Sequence, residues 1–146
     1  MAIVIDHVVE IDAMPETVWG VLTDFENYEQ WNPLAVHCKT SLVPGEPIDM
    51  EVQLKPGPLR KQREFVRSCT PGVEFIYEMK PVGGGRVLRS QRAQKLEAID
   101  GGRTRYVAHF EIRGLLSPLV VALLGKDLRR GFDGVAAGLK ARAEGL

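Results

Sequence analysis

Between residues 35 and 113 the chain alternates short β-compatible runs with turn sequences rich in glycine and proline. The runs are AVHCKTSLV, IDMEVQL, QREFVRS, VEFIYEMK, VLRSQRAQKLEAI and TRYVAHFEIRG, and the turn sequences are PGEP, KPGPLR, TPG, VGGG and DGG. Such spacing is typical of antiparallel strands that follow one another along the chain. The pattern therefore predicts an antiparallel sheet as the central element of the fold.

The residues before this region predict one more strand and two short helical segments. Residues 3–11 alternate with a period of two, and His7 shares a face with the isoleucines of this run. Pro15 opens PETVWGVLTDF, whose apolar residues recur at helical spacing. The next stretch, DFENYEQWNP, is closed by Pro33 and predicts a helical turn or loop.

The C-terminal part of the chain predicts one long helix. Ser117 and Pro118 are suited to the N-cap and N1 positions, and no proline follows them. We therefore expect a helix over about residues 118–143. Its apolar stripe, which should face the sheet, comprises Val121, Leu124, Leu128, Phe132, Val135, Ala136 and Leu139.

The order of these elements predicts an α+β fold. A sheet that packs one face on a helix must curl around it, so we expect a curved seven-stranded antiparallel sheet wrapped around the C-terminal helix, with two short helices between strands 1 and 2. The sequence contains no repeat, low-complexity tract or linker. Residues 1–146 are therefore expected to form a single domain.

Three stretches together resemble a known superfamily. They are PETVWGVLTDFENYEQWNP after the first strand, GGRTRYVAHFEIRGLLSPL at the entry to the long helix, and GLKARAE near the end. In order and spacing they resemble the SRPBCC superfamily of START domains, Bet v 1-like proteins and polyketide cyclases, which has the helix-grip fold. The resemblance implies a cavity between the helix and the concave sheet. It also implies binding of a hydrophobic small molecule such as a lipid, an isoprenoid or a polyketide, or alternatively a cyclase or dehydratase activity.

Strand and helix periodicity selects the residues that would line this cavity. The inward faces are mostly apolar and aromatic, as a pocket for a hydrophobic molecule requires. The fourth strand cannot be phased, because Phe65 shares a face with Arg63 and Arg67. Trp31 either contacts a ligand or packs as core, with Asn32 capping backbone groups. The predicted ligand-binding residues are His7, Trp31, Met50, Val52, Phe75, Tyr77, Arg92, Gln94, Tyr106, Phe110, Leu124, Leu128 and Phe132.

Arg92 is the unusual member of this set. In its strand Leu88 and Leu96 mark the inward face, and Arg92 lies on that face. A buried guanidinium is costly unless paired, so it would need a carboxylate from the protein or from the ligand. The alternative is that a bulge after the VGGG turn reverses the phase and places Arg92 in solvent.

Catalytic and metal-binding motifs are lacking in the sequence. It contains no nucleophile elbow, phosphate loop or dinucleotide fingerprint, and its histidines and cysteines lack metal-ligand spacing, so we predict neither a metal nor a cofactor. If the protein is an enzyme, Arg92, Tyr77, Tyr106 or His7 would polarise a carbonyl or transfer a proton. His7 alone is more typical of a core histidine than of a catalyst.

Charge and hydropathy limit the classes of partner. The 19 basic and 19 acidic residues give a formal net charge of zero, which argues against nucleic acid or an anionic membrane as the main partner. The most apolar run, GLLSPLVVALLG, is too short to span a bilayer, so no integral membrane association is expected. The first residues lack the basic region of a signal peptide, and a cytoplasmic protein is expected.

Two features of the predicted helix have more than one interpretation. Leu119 and Leu123 lie opposite the apolar stripe, and neighbouring loops, a second subunit in a homodimer, or a transient membrane contact would each account for them. Gly131 and Gly138 lie at the edge of the stripe and permit either close packing or room for a ligand. Each interior glycine costs about 1 kcal/mol of helix stability relative to alanine.

Overall fold

The computed structural model describes residues 2–146 and contains seven strands, two α-helices and two short 3-10 helices within that range. The first 3-10 helix, Phe25–Gln30, lies between strands 1 and 2, and the second, Gly83–Gly85, lies between strands 5 and 6. The remaining elements are β1 (Ile3–Ile11), α1 (Pro15–Leu22), β2 (Ala35–Thr40), β3 (Pro47–Val52), β4 (Arg60–Thr70), β5 (Glu74–Glu78), β6 (Arg89–Ile99), β7 (Arg103–Arg113) and α2 (Ser117–Glu144).

All seven strands form one antiparallel sheet in the order β1-β7-β6-β5-β4-β3-β2. Every neighbouring pair except β1 and β7 is consecutive along the chain, because each turn sequence folds its two flanking strands into a hairpin. β2 and β4 carry register shifts, between Ala35 and His37 and between Val66 and Ser68. Such irregularities increase the local bend of a strand. The structure confirms the predicted helix-grip fold.

Helix α2 begins differently from the prediction. The N-cap residue is Leu116, and Ser117 already lies inside the helix. The Ser117 hydroxyl donates to the Gly114 carbonyl at 2.8 Å rather than accepting a bond from an N–H of the first turn. The predicted serine cap is therefore wrong: the Gly114 backbone, at φ 110°, turns the chain so sharply that this carbonyl lies within reach of the hydroxyl.

The glycines in the second half of α2 permit close packing against the segment that precedes β2. A Cβ at Gly131 would lie 2.8 Å from Leu34 Cδ1, one at Gly134 2.8 Å from Pro33 Cγ, and one at Gly138 only 2.1 Å from the Trp31 carbonyl oxygen. At Gly138 the contact is with a backbone oxygen, so a larger side chain does not fit, whereas at Gly131 and Gly134 the Leu34 and Pro33 side chains would have to shift. Of the two interpretations of these glycines, close packing is correct.

The other face of α2 is not covered. Leu119 and Leu123 are 55% and 67% exposed, so neighbouring loops do not bury them. The predicted stripe does face inward, because Phe132, Val135, Ala136 and Leu139 are all buried. Leu124 and Leu128 remain only partly buried, because the sheet and the helix diverge at the helix's N-terminal end.

The two ends of the sheet carry different connections. At the first, which we call the cavity end, lie residues 53–59, 79–88 and 114–116, which join β3 to β4, β5 to β6 and β7 to α2. At the opposite end lie the turns 41–46, 71–73 and 100–102, together with residues 12–14 after β1. Helix α2 runs between these ends, because Glu144 at its C-terminus accepts a hydrogen bond from the Asp12 N–H at 2.8 Å.

Candidate ligand-binding cavity

A cavity of about 530 Å³ lies between the inner face of the sheet and the N-terminal half of α2. It is open to solvent, since the exposed residues Gln62, Arg63 and Lys80 contribute to its wall. Its lining consists of Leu34, Ala35, Met50, Val52, Leu54, Gln62, Arg63, Glu64, Tyr77, Met79, Lys80, Leu88, Ser90, Arg92, Phe110, Ile112, Val120, Leu124, Leu128 and Phe132.

Most of the predicted site residues meet in this cavity. The predicted residues found in its wall are Met50, Val52, Tyr77, Arg92, Phe110, Leu124, Leu128 and Phe132. They come from four strands and from α2, and they share one space because inward positions of adjacent strands stand side by side. Their roles in ligand binding remain predictions.

The other predicted residues lie outside this wall. Phe75 and Gln94 line a separate chamber of about 20 Å³, close to the volume of a single water molecule, which shares Tyr77 and Arg92 with the main cavity. Tyr106 is fully buried beneath Arg92. His7 faces the interior opposite Ala108, and its buried Nδ1 has no hydrogen-bond partner within residues 2–146.

Trp31 packs in the core rather than in the cavity wall. Its ring contacts Tyr28 edge to face, with centroids 4.9 Å apart, and its carbonyl lies against Gly138. Asn32 Oδ1 accepts hydrogen bonds from the N–H groups of Leu34 and Ala35 at 3.0 and 2.9 Å. The capping role predicted for Asn32 is confirmed, and it holds the chain in place at the start of β2.

Arg92 lies in the interior and is only 4% exposed, so the alternative that places it in solvent is wrong. Its cross-strand neighbours are Tyr77 on β5 and Phe110 on β7. The guanidinium carbon lies 4.2 Å from the centroid of the Phe132 ring, a cation–π distance. Helix, sheet and aromatic side chains thus fix the guanidinium in the cavity wall.

Polar contacts of Arg92 are few and long. Its Nη2 donates to Gln94 Oε1 at 3.5 Å and to the Tyr106 hydroxyl at 3.4 Å. The Tyr106 hydroxyl in turn donates to Gln94 Oε1 at 2.5 Å. Within residues 2–146 Arg92 forms no ion pair, so no carboxylate oxygen lies within 4.0 Å of its guanidinium. Several of its donors are therefore free to bind a guest.

Glu64 lies in the cavity wall and was not among the predicted site residues. On β4 the residues Glu64 and Val66 face inward, while Phe65 points away with the flanking arginines. The two arginines are stronger evidence for an exposed face than the one phenylalanine is for a buried face. An orientation of β4 chosen on the arginines would have placed Glu64 in the interior of the fold. The structure thus adds a buried carboxyl group to the wall that contains Arg92.

Burial raises the pKa of the Glu64 carboxyl above its ordinary value. The hydrogen bond from Gln62 Nε2 and the positive charge of Arg92 act in the opposite direction but do not outweigh the loss of solvation. Protonated Glu64 is therefore present at higher pH than for an exposed glutamate. In that form it can donate a hydrogen bond to a molecule in the cavity.

We expect Glu64→Gln to stabilise the fold at neutral pH and to have little effect in acid. A carboxyl whose folded-state pKa is raised contributes its stability below its unfolded pKa and loses it as the pH rises through the folded-state pKa. Glutamine mimics the protonated form at every pH. The free energy of urea unfolding, measured for both proteins from acid to neutral pH, tests this expectation. A difference in unfolding free energy that is the same at every pH would contradict the raised pKa of Glu64.

The tyrosines around Arg92 remain neutral hydrogen-bonding groups. Burial raises the pKa of Tyr77 and of Tyr106 above the ordinary value, although the charge of Arg92 opposes this. Both hydroxyls therefore keep their protons at any physiological pH. Tyr77, which lines the cavity, can donate to a carbonyl or carboxylate oxygen of a guest.

The described residues contain neither a membrane-spanning helix nor a cluster of metal ligands. No helix of residues 2–146 combines the length and the apolar character needed to cross a bilayer. In the same range no group of three or more His, Cys, Asp or Glu side chains is arranged to hold a metal ion.

Comparison with known families agrees with this geometry. Residues 2–144 match the sequence profile of the family described as polyketide cyclase / dehydrase and lipid transport. The chain belongs to this family. The cavity between the sheet and α2 is the candidate site, and Arg92 and Glu64 are the buried basic and acidic groups in its wall. No curated protein sequence matches the chain.

Solved structures share the fold at low sequence identity. The Zhui aromatase/cyclase from Streptomyces sp. R1128 superposes with a TM-score of 0.78 at 15% identity, over 99% of this chain and 94% of its own. A START superfamily protein from Mycobacterium smegmatis superposes with a TM-score of 0.70 at 19% identity, over 97% of both chains. Ara h 8.0201 superposes with a TM-score of 0.75 at 10% identity, over the whole of both chains. At these identities the similarity shows the fold alone.

Proposed function

We propose that the protein binds a hydrophobic small molecule that carries a carboxylate or carbonyl group, and that this group contacts Arg92. The observation that carries the proposal is a buried guanidinium in the wall of an otherwise largely apolar cavity, with no carboxylate of the described chain in contact. Burying an unpaired charge is unfavourable. A guest with an oxygen acceptor at this point would offset that cost through charge-assisted hydrogen bonds.

The dimensions of the cavity fit such a guest. A volume of about 530 Å³ lies within the range of small-molecule sites. Leucine, valine, methionine and phenylalanine side chains surround most of it, so a hydrocarbon chain or fused ring would replace water there. The proposed guests are a fatty acid, an isoprenoid acid or a polyketide-like molecule.

We expect Leu128→Trp to weaken guest binding by occupying part of the cavity. Leu128 projects from α2 into the wall, and indole occupies far more volume than isobutyl. A fluorescent fatty acid titrated into purified protein measures the affinity. Ala137→Trp, on the exposed face of the second half of the same helix, is the matched control and should bind as the unmodified protein does. Equal affinity in all three proteins would show that the fatty acid binds elsewhere.

A second candidate function is a cyclase or dehydratase acting on the same class of guest. Glu64, Tyr77 and Arg92 line one cavity, and together they offer an acid–base group and two donors to a carbonyl oxygen. In an intramolecular aldol closure one carbon–carbon bond forms while a proton leaves the attacking carbon and a proton reaches the carbonyl oxygen. Dehydration then breaks the carbon–oxygen bond of the new hydroxyl and a neighbouring carbon–hydrogen bond, so one water molecule is released. The mass of the guest recovered after incubation therefore separates the candidates, because a carrier returns it unchanged.

A further inference from the structure

A cluster of exposed leucines lies at the cavity end of the molecule. Leu115 is 82% exposed, and Leu116, Leu119 and Leu123 are 43%, 55% and 67% exposed. The last three are spaced by three and four residues along the N-terminus of α2, so they follow one face of the helix. Pro118 and Ala122 are exposed beside them. This surface, which we call the leucine patch (Leu115, Leu116, Leu119 and Leu123), lacks a covering element within residues 2–146.

The leucine patch is continuous with the wall of the cavity. Val120 and Leu124 alternate with Leu119 and Leu123 along the same two turns, and their side chains line the cavity. The connection 79–88 holds the start of the patch in place, because the N–H of Leu115 donates to the Arg86 carbonyl at 3.0 Å and that of Leu116 to the Val87 carbonyl at 3.0 Å. A surface that covered the patch would therefore also lie at the edge of the cavity.

Charges are distributed unevenly between the two ends of the sheet. In the connections 53–59, 79–88 and 114–116 of the cavity end, the charged residues are all cations: Lys55, Lys80 and Arg86. In the connections of the opposite end they are all carboxylates: Asp12, Glu46 and Asp100. The acidic residues Asp24, Glu26 and Glu29 precede β2 in residues 23–34, a segment whose last residues pack on the second half of α2. The net charge of zero thus conceals an excess of cations in the connections beside the cavity and an excess of carboxylates in those at the other end.

Further cations surround the leucine patch. Arg89 starts β6 opposite Arg113, and Lys126 and Arg129 follow the patch on α2. Within residues 2–146, Lys80, Arg86, Arg89, Lys126 and Arg129 have no carboxylate within 4.0 Å, whereas Lys55 pairs with Asp127. The N-terminus of α2 adds the positive end of its helix dipole. An anionic surface would complement this end of the molecule.

We propose that the cavity end docks on the surface of a lipid bilayer that contains anionic lipids, with the leucine patch inserted among the headgroups. Apolar side chains at the tip of an element, surrounded by lysine and arginine, are the combination that stabilises peripheral binding at a membrane interface. Docking in this orientation brings the opening of the cavity to the bilayer, so a hydrophobic guest would pass between them without crossing water.

A second copy of the chain fits the same surface less well. Two copies related by a two-fold axis present the same patch to each other. The cations around one leucine patch would then face the cations around the other, and that arrangement is unfavourable without intervening anions. A bilayer with anionic headgroups supplies the complementary charge over the whole end.

Vesicle flotation tests the proposal with the intact protein and no added guest. We expect the protein to float with vesicles of phosphatidylcholine and phosphatidylglycerol at low salt, and less with phosphatidylcholine alone or at high salt. Leu119→Asn together with Leu123→Asn should reduce the bound fraction about tenfold or more, since both side chains contribute buried apolar area. Both positions are exposed, so this variant should fold normally.

The matched control replaces two exposed valines at the opposite end, Val43→Asn together with Val73→Asn. This control should float as the unmodified protein does. Equal loss in both variants, or no flotation of the unmodified protein with anionic vesicles, would overturn the proposal. Concentration-dependent dimerisation that the leucine variant abolishes, without vesicle binding, would assign the patch to a second copy instead. Because no guest is measured, failure here leaves the proposed ligand binding intact.

Discussion

Gly138→Ala should destabilise the protein by about 3 kcal/mol, although alanine is the better helix former. The added Cβ would lie 2.1 Å from the Trp31 carbonyl oxygen, a backbone atom that no rotamer change moves away. The helix and the segment before β2 must separate to accommodate it, and core contacts around Leu139 are lost. The free energy of urea unfolding measures the effect.

Gly20→Ala is the matched control for this prediction. Gly20 also lies within a helix, but no atom lies within 4 Å of the position a Cβ would take there. We expect this substitution to be neutral or to stabilise the fold by up to about 1 kcal/mol. If both substitutions had the same effect, helix propensity rather than packing would govern Gly138, and the close-packing interpretation would fail.

Arg92→Met should weaken binding of a fatty acid by roughly thirtyfold or more, which corresponds to about 2 kcal/mol. The substitution removes the guanidinium that we propose contacts the carboxylate, while methionine retains apolar contact with Phe132. The fold should not be weakened, because the Tyr106 hydroxyl keeps its hydrogen bond to Gln94 and a costly buried charge is lost. Parallel titrations with the fatty acid and the corresponding fatty alcohol measure the charge-dependent part.

The alcohol should lose much less affinity than the acid in this variant. Arg129→Met, on the exposed face of α2, provides a control for removal of one positive charge from the molecule. An equal loss of affinity for acid and alcohol would mean that Arg92 shapes the cavity without binding the carboxylate. Unfolding of the variant at lower urea would show that the guanidinium stabilises the core by contacts beyond those described.

Local patterns in the sequence predicted most elements because each has a local cause. Turn sequences such as PGEP and DGG end strands wherever they occur, and residues 3–11 alternate over the full length of β1. The phase of β6 was also predictable, since Leu88 and Leu96 bracket Arg92 with even spacing. Where one aromatic residue competed with two arginines, on β4, the periodicity was ambiguous and Glu64 was missed.

Long-range contacts could not be derived in this way. The role of Gly138 depended on Trp31, more than a hundred residues away in the sequence. His7 has the predicted inward orientation, and Trp31 packs against Tyr28 and Gly138, but neither residue lines the space that remains open. Alternation of side chains along a strand predicts which face of the sheet each residue occupies. It does not predict where the helix and the sheet diverge and leave a cavity.

By itself the sequence determined the antiparallel sheet, the long terminal helix and the inward orientation of Arg92's face, because turn chemistry and periodicity act over a few residues. Only the tertiary structure decided that the glycines of α2 contact the segment before β2 and that a cavity of about 530 Å³ remains at the N-terminal half of the helix. It alone also placed Glu64 and Arg92 in one wall and the leucine patch beside the opening. These features arise from the meeting of distant segments, whose separation depends on packing across the whole molecule.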